Sequence, residues 1–156
     1  MASRESVSAP RHGWVALYND VASREPERLR RLGSELSHIT GGVVLALGVE
    51  ENAVVRTIAF ERGRLMDEYV SVPNHYGPLP PGDAVALRVN ARVLARLTGA
   101  PMDAIRRAAP TAESVGELPP AAEQLEELAS ILGIEGVGLG IDEASRLEGA
   151  VTVEHP

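Results

Sequence analysis

The sequence contains no cysteine and no lysine, and each absence removes a class of chemistry. Without cysteine the chain has no disulfide framework, thiolate zinc site, iron–sulfur cluster or cysteine nucleophile. Without lysine it has neither a Schiff-base residue nor the lysine of a phosphate-binding loop. All 15 cationic side chains are arginine, which is typical of a GC-rich genome.

Aromatic rings and long apolar runs are also scarce. One Trp, three Tyr and one Phe are the only aromatic residues, so the core must be aliphatic. No apolar run approaches the roughly 18 residues of a membrane span. The N-terminal residues also lack the apolar stretch of a signal peptide. Together with the lack of cysteine, these features predict a cytoplasmic protein that does not act at a membrane.

The composition is that of an ordinary globular domain. The chain has 156 residues, of which 44% are hydrophobic and 24% charged. These values exclude wholesale disorder and favour one domain over two. We expect a disordered tail over residues 1–12, a single domain over 13–134 and a glycine-rich, acidic tail over 135–156. The last segment can add an edge strand at 150–153.

The net charge of −7 is distributed unevenly along the chain. Residues 1–78 carry −1, residues 79–110 carry +3, and residues 111–156 carry −9. A block of one sign is commonly a solvated face or an interaction surface. The acidic third is therefore expected to keep the protein soluble, to fold back over the basic middle, or to meet a basic partner.

Periodicity in the first third predicts a strand, a helix and a second strand. Residues 14–18 form a short strand that is broken between residues 19 and 23. Pro26 opens the helix and Gly41 ends it. The nearly unbroken apolar run from Val43 to Val49 indicates a buried central strand. The apolar stripe of the helix is predicted to comprise Leu29, Leu32, Leu36 and Ile39.

A β-hairpin is predicted over residues 53–60 and 64–72. A three-residue loop with Gly63 in the left-handed conformation would place Arg56 opposite Glu68 and Ile58 opposite Met66. This register pairs opposite charges and like apolar groups, so we expect it over a two-residue loop.

The second half of the chain predicts one more strand followed by helices. Prolines make residues 73–82 an ordered loop. Alternation over residues 84–89 indicates a strand, and helices follow at 90–98, 101–109 and from residue 119 onward. The order predicts an α+β fold of two layers. Its mainly antiparallel sheet has four or five strands in strand–helix–meander order, with grouped helices in the C-terminal half.

Reactive side-chain types concentrate at the end of the hairpin. They are Asp67, Tyr69, Asn74, His75 and Tyr76. Because Asp67 and Tyr69 share a strand face, the loop could bring His75 back toward them in general-base geometry. Alternatively, Asp67 pairs with Thr57 across the hairpin, and His75 and Tyr76 pack the turn.

Residues 94–108 resemble a helix-turn-helix. Ala95 allows close helix approach, Gly99 makes the turn and Ile105 packs the second helix against the first. Arg106 and Arg107 would then contact nucleic acid. The net charge of −7 opposes this interpretation, and packed helix pairs of this kind are common.

No metal or cofactor site is predicted. His12, His38, His75 and His155 share no short spacing. The glycines at 136, 138 and 140 follow a helix, whereas a dinucleotide-binding loop must follow a strand.

These observations favour a non-catalytic, cytoplasmic protein-binding or regulatory module. Its expected surfaces are the acidic C-terminal third and the loop over 73–82, where Tyr76 offers a large contact area with few rotors. The expected partner is a basic protein or a second copy of the chain. The alternatives are a DNA-binding regulator using residues 94–108 and a small enzyme or ligand binder near Asp67 and His75.

Overall fold

Two antiparallel sheets of three strands each organise the chain. A computed structural model describes residues 3–19 and 25–155. The first sheet has the order β2-β1-β6 and the second has the order β3-β4-β5. The strands are β1 (Ser3–Val7), β2 (Leu17–Asn19), β3 (Val43–Glu50), β4 (Val54–Glu61), β5 (Arg64–Val70) and β6 (Val151–His155). The α+β class is confirmed, whereas the prediction of one sheet with four or five strands does not match.

Six α-helices are present in the described residues. They are α1 (Pro26–Thr40), α2 (Pro81–Ala86), α3 (Ala91–Thr98), α4 (Met102–Ala108), α5 (Ala121–Ile131) and α6 (Ile141–Ser145). None of these helices has both the length and the apolar character needed to cross a bilayer.

The first sheet joins the two ends of the chain. Strand β1 lies at its centre and pairs with β2 on one side and β6 on the other. β1 therefore occupies the segment that we expected to be a disordered tail, and β6 forms where the sequence allowed an edge strand. Pairing between chain ends leaves no local signal. The predicted strand over 14–18 is limited to β2, and the break predicted up to Ser23 falls partly on residues 20–24, outside the described ranges.

Strand β3 lies at an edge of the second sheet, not at its centre as predicted. β4 is the central strand and pairs with β3 and β5. The apolar run of β3 has another cause: Ala46 packs on the side of α1, while Leu47 and Val49 pack near Leu125 of α5. Coverage on both faces thus produces the unbroken pattern that usually marks a central strand.

The predicted hairpin register is also wrong. Glu61 pairs with Arg64 across a two-residue turn, in which Arg62 and Gly63 have φ of 53° and 82°. A β-bulge beside Ala59 and Phe60 then shifts the register. These positive φ angles fit a type I′ turn, whose twist matches that of the flanking strands.

Helix α1 packs on the second sheet through small residues. A Cβ on Gly33 would lie 2.5 Å from the Phe60 ring, so only glycine permits this approach. Buried Ser37 accepts a hydrogen bond from Gly63 N–H at 2.9 Å and thereby fixes the hairpin turn. Ile39, predicted to be in the apolar stripe, is 79% exposed because the helix turns it away from the sheet.

Helix α2, over residues 81–86, replaces the end of the loop predicted over 73–82 and the start of the strand predicted over 84–89. Pro81 occupies the first turn, where its missing N–H costs nothing, and Asp83 favours the positive end of the helix. These local signals outweigh the alternation of Val85 and Leu87. Leu87, which follows α2, accepts a hydrogen bond from Val70 N–H at 3.0 Å at the sheet edge.

The predicted helices α3, α4 and α5 pack on the second sheet. Leu94, Ile105 and Leu128 are at most 2% exposed and cluster around Tyr69 of β5. This face of the sheet is the main core. The opposite face carries α1 and a network of charged residues.

Candidate functional site

The loop after β5 is a succession of hydrogen-bonded turns. His75 N–H donates to the Val72 carbonyl at 3.1 Å, and Gly77 N–H donates to the Asn74 carbonyl at 3.1 Å. The Asn74 side-chain oxygen accepts a hydrogen bond from Leu79 N–H at 2.8 Å. Prolines at 73, 78, 80 and 81 restrict the same segment. The loop therefore holds its shape without a partner.

Tyr76 stands on this loop with an exposed ring and an anchored hydroxyl. The residue is 58% exposed, yet its hydroxyl donates to Glu50 Oε2 at 2.7 Å. Desolvation of the hydroxyl and the adjacent Glu50 carboxylate raise the pKa of Tyr76 above its ordinary value. His75 packs edge-on against the ring, with centroids 4.9 Å apart, and its Nε2 lies 3.3 Å from Glu51 Oε2. The ring is thus presented in one orientation.

A largely buried charge network fixes the anchor of Tyr76. Arg56 donates from Nε to Glu50 and from Nη1 to Glu68. The side chains of Glu50, Arg56 and Glu68 are only 9%, 12% and 11% exposed. Arg30 of α1 completes the network with a bidentate contact to Glu68 at 3.0 and 2.6 Å, and this hydrogen bonding raises the pKa of Arg30.

Sequence reasoning found only part of this network. The pairing of Arg56 with Glu68 was predicted, but from the wrong register: Arg56 faces Val70 and reaches Glu68 diagonally on the same face. The roles of Glu50 and Arg30 were missed. Glu50 ends β3 and Arg30 lies on α1, so only the packing of these elements brings them together.

Asp67 and Tyr69 have their partners on the helical side of the second sheet. Asp67 Oδ2 accepts a hydrogen bond from Asn90 N–H at 3.2 Å, at the start of α3. Burial raises the pKa of Asp67, although hydrogen bonds from backbone N–H groups oppose this effect. Tyr69 is fully buried; its hydroxyl donates to the Pro110 carbonyl and accepts from Gln124 Nε2 at 2.7 Å. Burial raises the pKa of Tyr69 as well.

The predicted site residues therefore divide into two groups. Asn74, His75 and Tyr76 lie together on the loop, whereas the bonds of Asp67 and Tyr69 lead to α3, Pro110 and α5. Over residues 3–19 and 25–155, no hydrogen bond or ion pair joins Asp67 to His75. Asp67 faces Ala59 across the hairpin instead of Thr57, because the two-residue turn and the bulge each shift the register by one residue.

The helix pair α3–α4 has the predicted turn at Gly99, with φ of 79°. Its apolar residues are directed into the main core. Arg106 Nη1 contacts Asp103 Oδ1 at 3.1 Å on the exposed side of α4, and Arg107 is exposed. The acidic Asp103 stands in the first turn of α4, which in a DNA-reading helix would contact the base edges.

The acidic C-terminal third forms its ion pairs with the N-terminal part of the chain. Its ion pairs join Asp142 to Arg4, and Glu135 to Arg11 and His12. Where the chain is described, no ion pair links residues 111–156 to residues 79–110, although Leu128 of α5 packs in one apolar cluster with Ile105 of α4. The expectation that the acidic third covers the basic middle stays a prediction. The exposed side of α5 carries Glu123, Glu126 and Glu127 without ion pairs among the described residues. These three residues form the acidic face of α5.

No set of three or more His, Asp or Glu side chains in the described ranges is arranged to hold a metal ion. Comparison with known proteins adds no further information on function. No protein family, curated protein or solved structure significantly matches the sequence or its fold.

Proposed function

We propose that this chain is a non-catalytic protein-recognition module that binds its partner through the loop after β5 and the adjoining helix α2. The proposed surface consists of Tyr76, Leu79 and Val85, hereafter the Tyr76 surface. The observation that carries the proposal is the state of Tyr76, whose ring is 58% exposed while its hydroxyl is fixed to Glu50. A tyrosine held in this way is suited to be a contact residue because little freedom remains to be lost.

The Tyr76 surface is apolar and already ordered. Leu79 is 38% exposed and Val85 is 55% exposed, and both lie within ten residues of Tyr76. Prolines and the hydrogen bonds of Asn74 restrain the connecting backbone. Binding at a surface that is rigid before contact avoids the ordering cost of a flexible loop.

Charge around the Tyr76 surface favours a basic partner. Glu51 is exposed beside His75, and Asp83 is exposed in the first turn of α2. The whole chain carries −7, of which the acidic face of α5 contributes three carboxylates. A field of one sign accelerates association with a partner of the opposite sign. The acidic C-terminal surface is therefore proposed to steer the partner that the Tyr76 surface binds.

Within the part of the chain that the structure describes, no contact supports either alternative, the enzyme or ligand binder or the DNA-binding regulator. An enzyme near Asp67 and His75 would need these side chains to converge, and their hydrogen bonds lie on separate elements. A DNA-binding role would use Arg106 and Arg107 of α4, but Arg106 contacts Asp103 and the net charge of −7 opposes binding to DNA.

Site-specific photo-crosslinking tests the proposal. A photoreactive amino acid is placed at Leu79 or Val85, and at Leu65 as the matched control. Leu65 is 51% exposed, but it stands at the opposite end of β5. We expect positions 79 and 85 to capture the same protein in host cells, position 65 not to capture it, and Tyr76→Ala to reduce its capture. Equal capture at all three positions, or none at 79 and 85, would refute the proposal.

A further inference from the structure

A large apolar cavity lies between the two sheets, away from the Tyr76 surface. Its volume is about 1050 Å³, within the range of sites that hold sizeable ligands. One wall contains Trp14 and β2, and a second contains Leu29, Leu32 and Leu36 of α1. Further walls are formed by residues 43–47 of β3, by Leu97 and Thr98 of α3, and by side chains of the segment from Ile134 to Ile141. The leucine stripe of α1 thus borders a cavity and is only half-buried.

The free edge of β3 lines this cavity. Arg62 N–H donates to the Gly42 carbonyl at 3.2 Å, which marks positions 42 and 62 as a hydrogen-bonded pair of the β3–β4 ladder. In an antiparallel ladder, residues that hydrogen-bond to the neighbouring strand alternate with residues that do not. The backbone groups of the even-numbered residues of β3 therefore bond to β4. Val43, Leu45 and Leu47 therefore direct their backbone N–H and C=O groups to the opposite edge. Within the described ranges, β3 pairs with no strand other than β4.

We infer that the cavity is a strand-acceptor groove, which binds an extended peptide segment of a partner protein by adding it to the edge of β3. An acyl chain would fill the apolar walls but leave the outward backbone groups of β3 unpaired, and such groups are costly when buried. An added strand fills the walls with its side chains and pairs the backbone groups as well. The occupant is therefore a peptide and not a lipid.

The chemistry of the groove defines the peptide. Among the described lining residues, charge is confined to Arg11, His12 and Glu135. The inserted residues must therefore be uncharged and rich in aliphatic side chains. The net charge of −7 favours basic residues on both sides of them. A second folded copy is a poorer occupant than a free peptide, because its own β3 edge lines the same cavity between its sheets.

The first experiment selects peptides on the intact chain. A displayed library presents five random residues between pairs of arginines. We expect enrichment of uncharged, β-branched sequences on the wild type and on Ile39→Arg, but not on Leu36→Arg. Ile39 is the matched control because it lies on the same helix, is 79% exposed and does not line the cavity. Failure to enrich any peptide on the wild type would overturn the inference.

The second experiment measures amide hydrogen exchange of the wild-type chain, so it does not depend on the folding of a variant. In the free protein, the amides of Val43, Leu45 and Leu47 should exchange faster than those of Val44 and Ala46. Saturation with a selected peptide should slow the odd-numbered amides at least about tenfold. Palmitate should not produce this change. Slow exchange of the odd-numbered amides with palmitate but not with peptide would identify a lipid site and overturn the inference.

The third experiment blocks the backbone of the peptide itself. The selected peptide is methylated at alternate backbone nitrogens, which keeps the side chains but removes donors to β3. We expect at least about tenfold weaker binding, and unchanged affinity would overturn the inference. Tyr76→Ala should leave peptide binding unchanged. The proposal for the groove and the proposal for the Tyr76 surface can therefore be refuted independently of each other.

Discussion

The hydroxyl of Tyr76 donates a 2.7 Å hydrogen bond to Glu50 Oε2, although 58% of the residue is exposed. Glu50 is itself held by Arg56, whose guanidinium also contacts Glu68. A tyrosine in an aliphatic protein thus stands outside the core, while its position is fixed by buried charges. Tyr76 thus differs from Tyr69, which is fully buried in the core.

The same substitution at two tyrosines tests this distinction. Tyr69→Phe leaves the Pro110 carbonyl and the Gln124 side chain without their partner in the core, so we expect a loss of about 2–3 kcal/mol in the free energy of unfolding. Tyr76→Phe removes one hydrogen bond at the surface and should cost about 1 kcal/mol or less. Urea denaturation measures both values. A greater loss for Tyr76→Phe would show that Tyr76 is the structural residue of the two.

The charge network should be costly to break at its centre. Arg56→Met leaves Glu50 and part of Glu68 without a counter-charge in a largely buried setting, and we expect a loss of about 3 kcal/mol or more. Arg96→Met is the matched control, since the Arg96–Glu61 pair is 54% and 31% exposed. It should cost about 1 kcal/mol or less. Equal losses for the two variants would mean that the network is solvated.

The sequence predicted what local chemistry decides. Helices α1, α3, α4 and α5 were predicted correctly. The signals were the apolar periodicity of α1, the glycine at 99 between α3 and α4, and the proline before α5. The sequence did not predict the pairing of β1 with β6, because these strands lie at opposite ends of the chain. The edge position of β3 was also missed. A strand that is buried on both faces has the same unbroken apolar sequence whether it lies at the edge or at the centre of a sheet.

The sequence predicts the loop that carries the candidate site, but not the contacts that join this loop to the charge network. Prolines and Tyr76 identify residues 73–82 from the sequence alone. The contact between Tyr76 and Glu50 depends on how the loop returns toward the end of β3, which no local pattern records. The separation of His75 from Asp67 depends on the same path.

Asp67 should give the protein a specific pH dependence. Burial raises the pKa of Asp67 in the folded state above its ordinary value of 3.8. The folded state therefore binds the proton more tightly, and the contribution of Asp67 is greatest below that value and is lost as pH rises through the folded-state pKa. Asp67→Asn cannot ionise and still offers an oxygen to Asn90 N–H. Its stability relative to the wild type should increase with pH above 3.8 and then level off.

Chemical denaturation of both proteins from pH 3 to pH 8 measures this difference. Conversely, a relative stability of Asp67→Asn that falls with rising pH would show that the ionised carboxylate is favoured in the folded state.

Strand β6 should protect the N-terminal strand. β1 pairs with β6 from Ser3–His155 to Val7–Val151. Deletion of residues 150–156 leaves one side of β1 unpaired, so we expect faster proteolysis within residues 3–12 while residues 43–72 stay intact. Limited proteolysis followed by mass spectrometry measures both. Unchanged cleavage of residues 3–12 would show that β6 does not hold β1.

The most direct test of the proposed function is the affinity of the crosslinked partner, purified, for two variants of the intact chain. Tyr76→Ala removes the central ring of the Tyr76 surface, and Leu65→Ala removes an equally exposed apolar side chain at the far end of β5. We expect Tyr76→Ala to weaken binding at least about tenfold and Leu65→Ala to leave the Kd unchanged. Equal Kd values for Tyr76→Ala and the wild type would contradict the proposal.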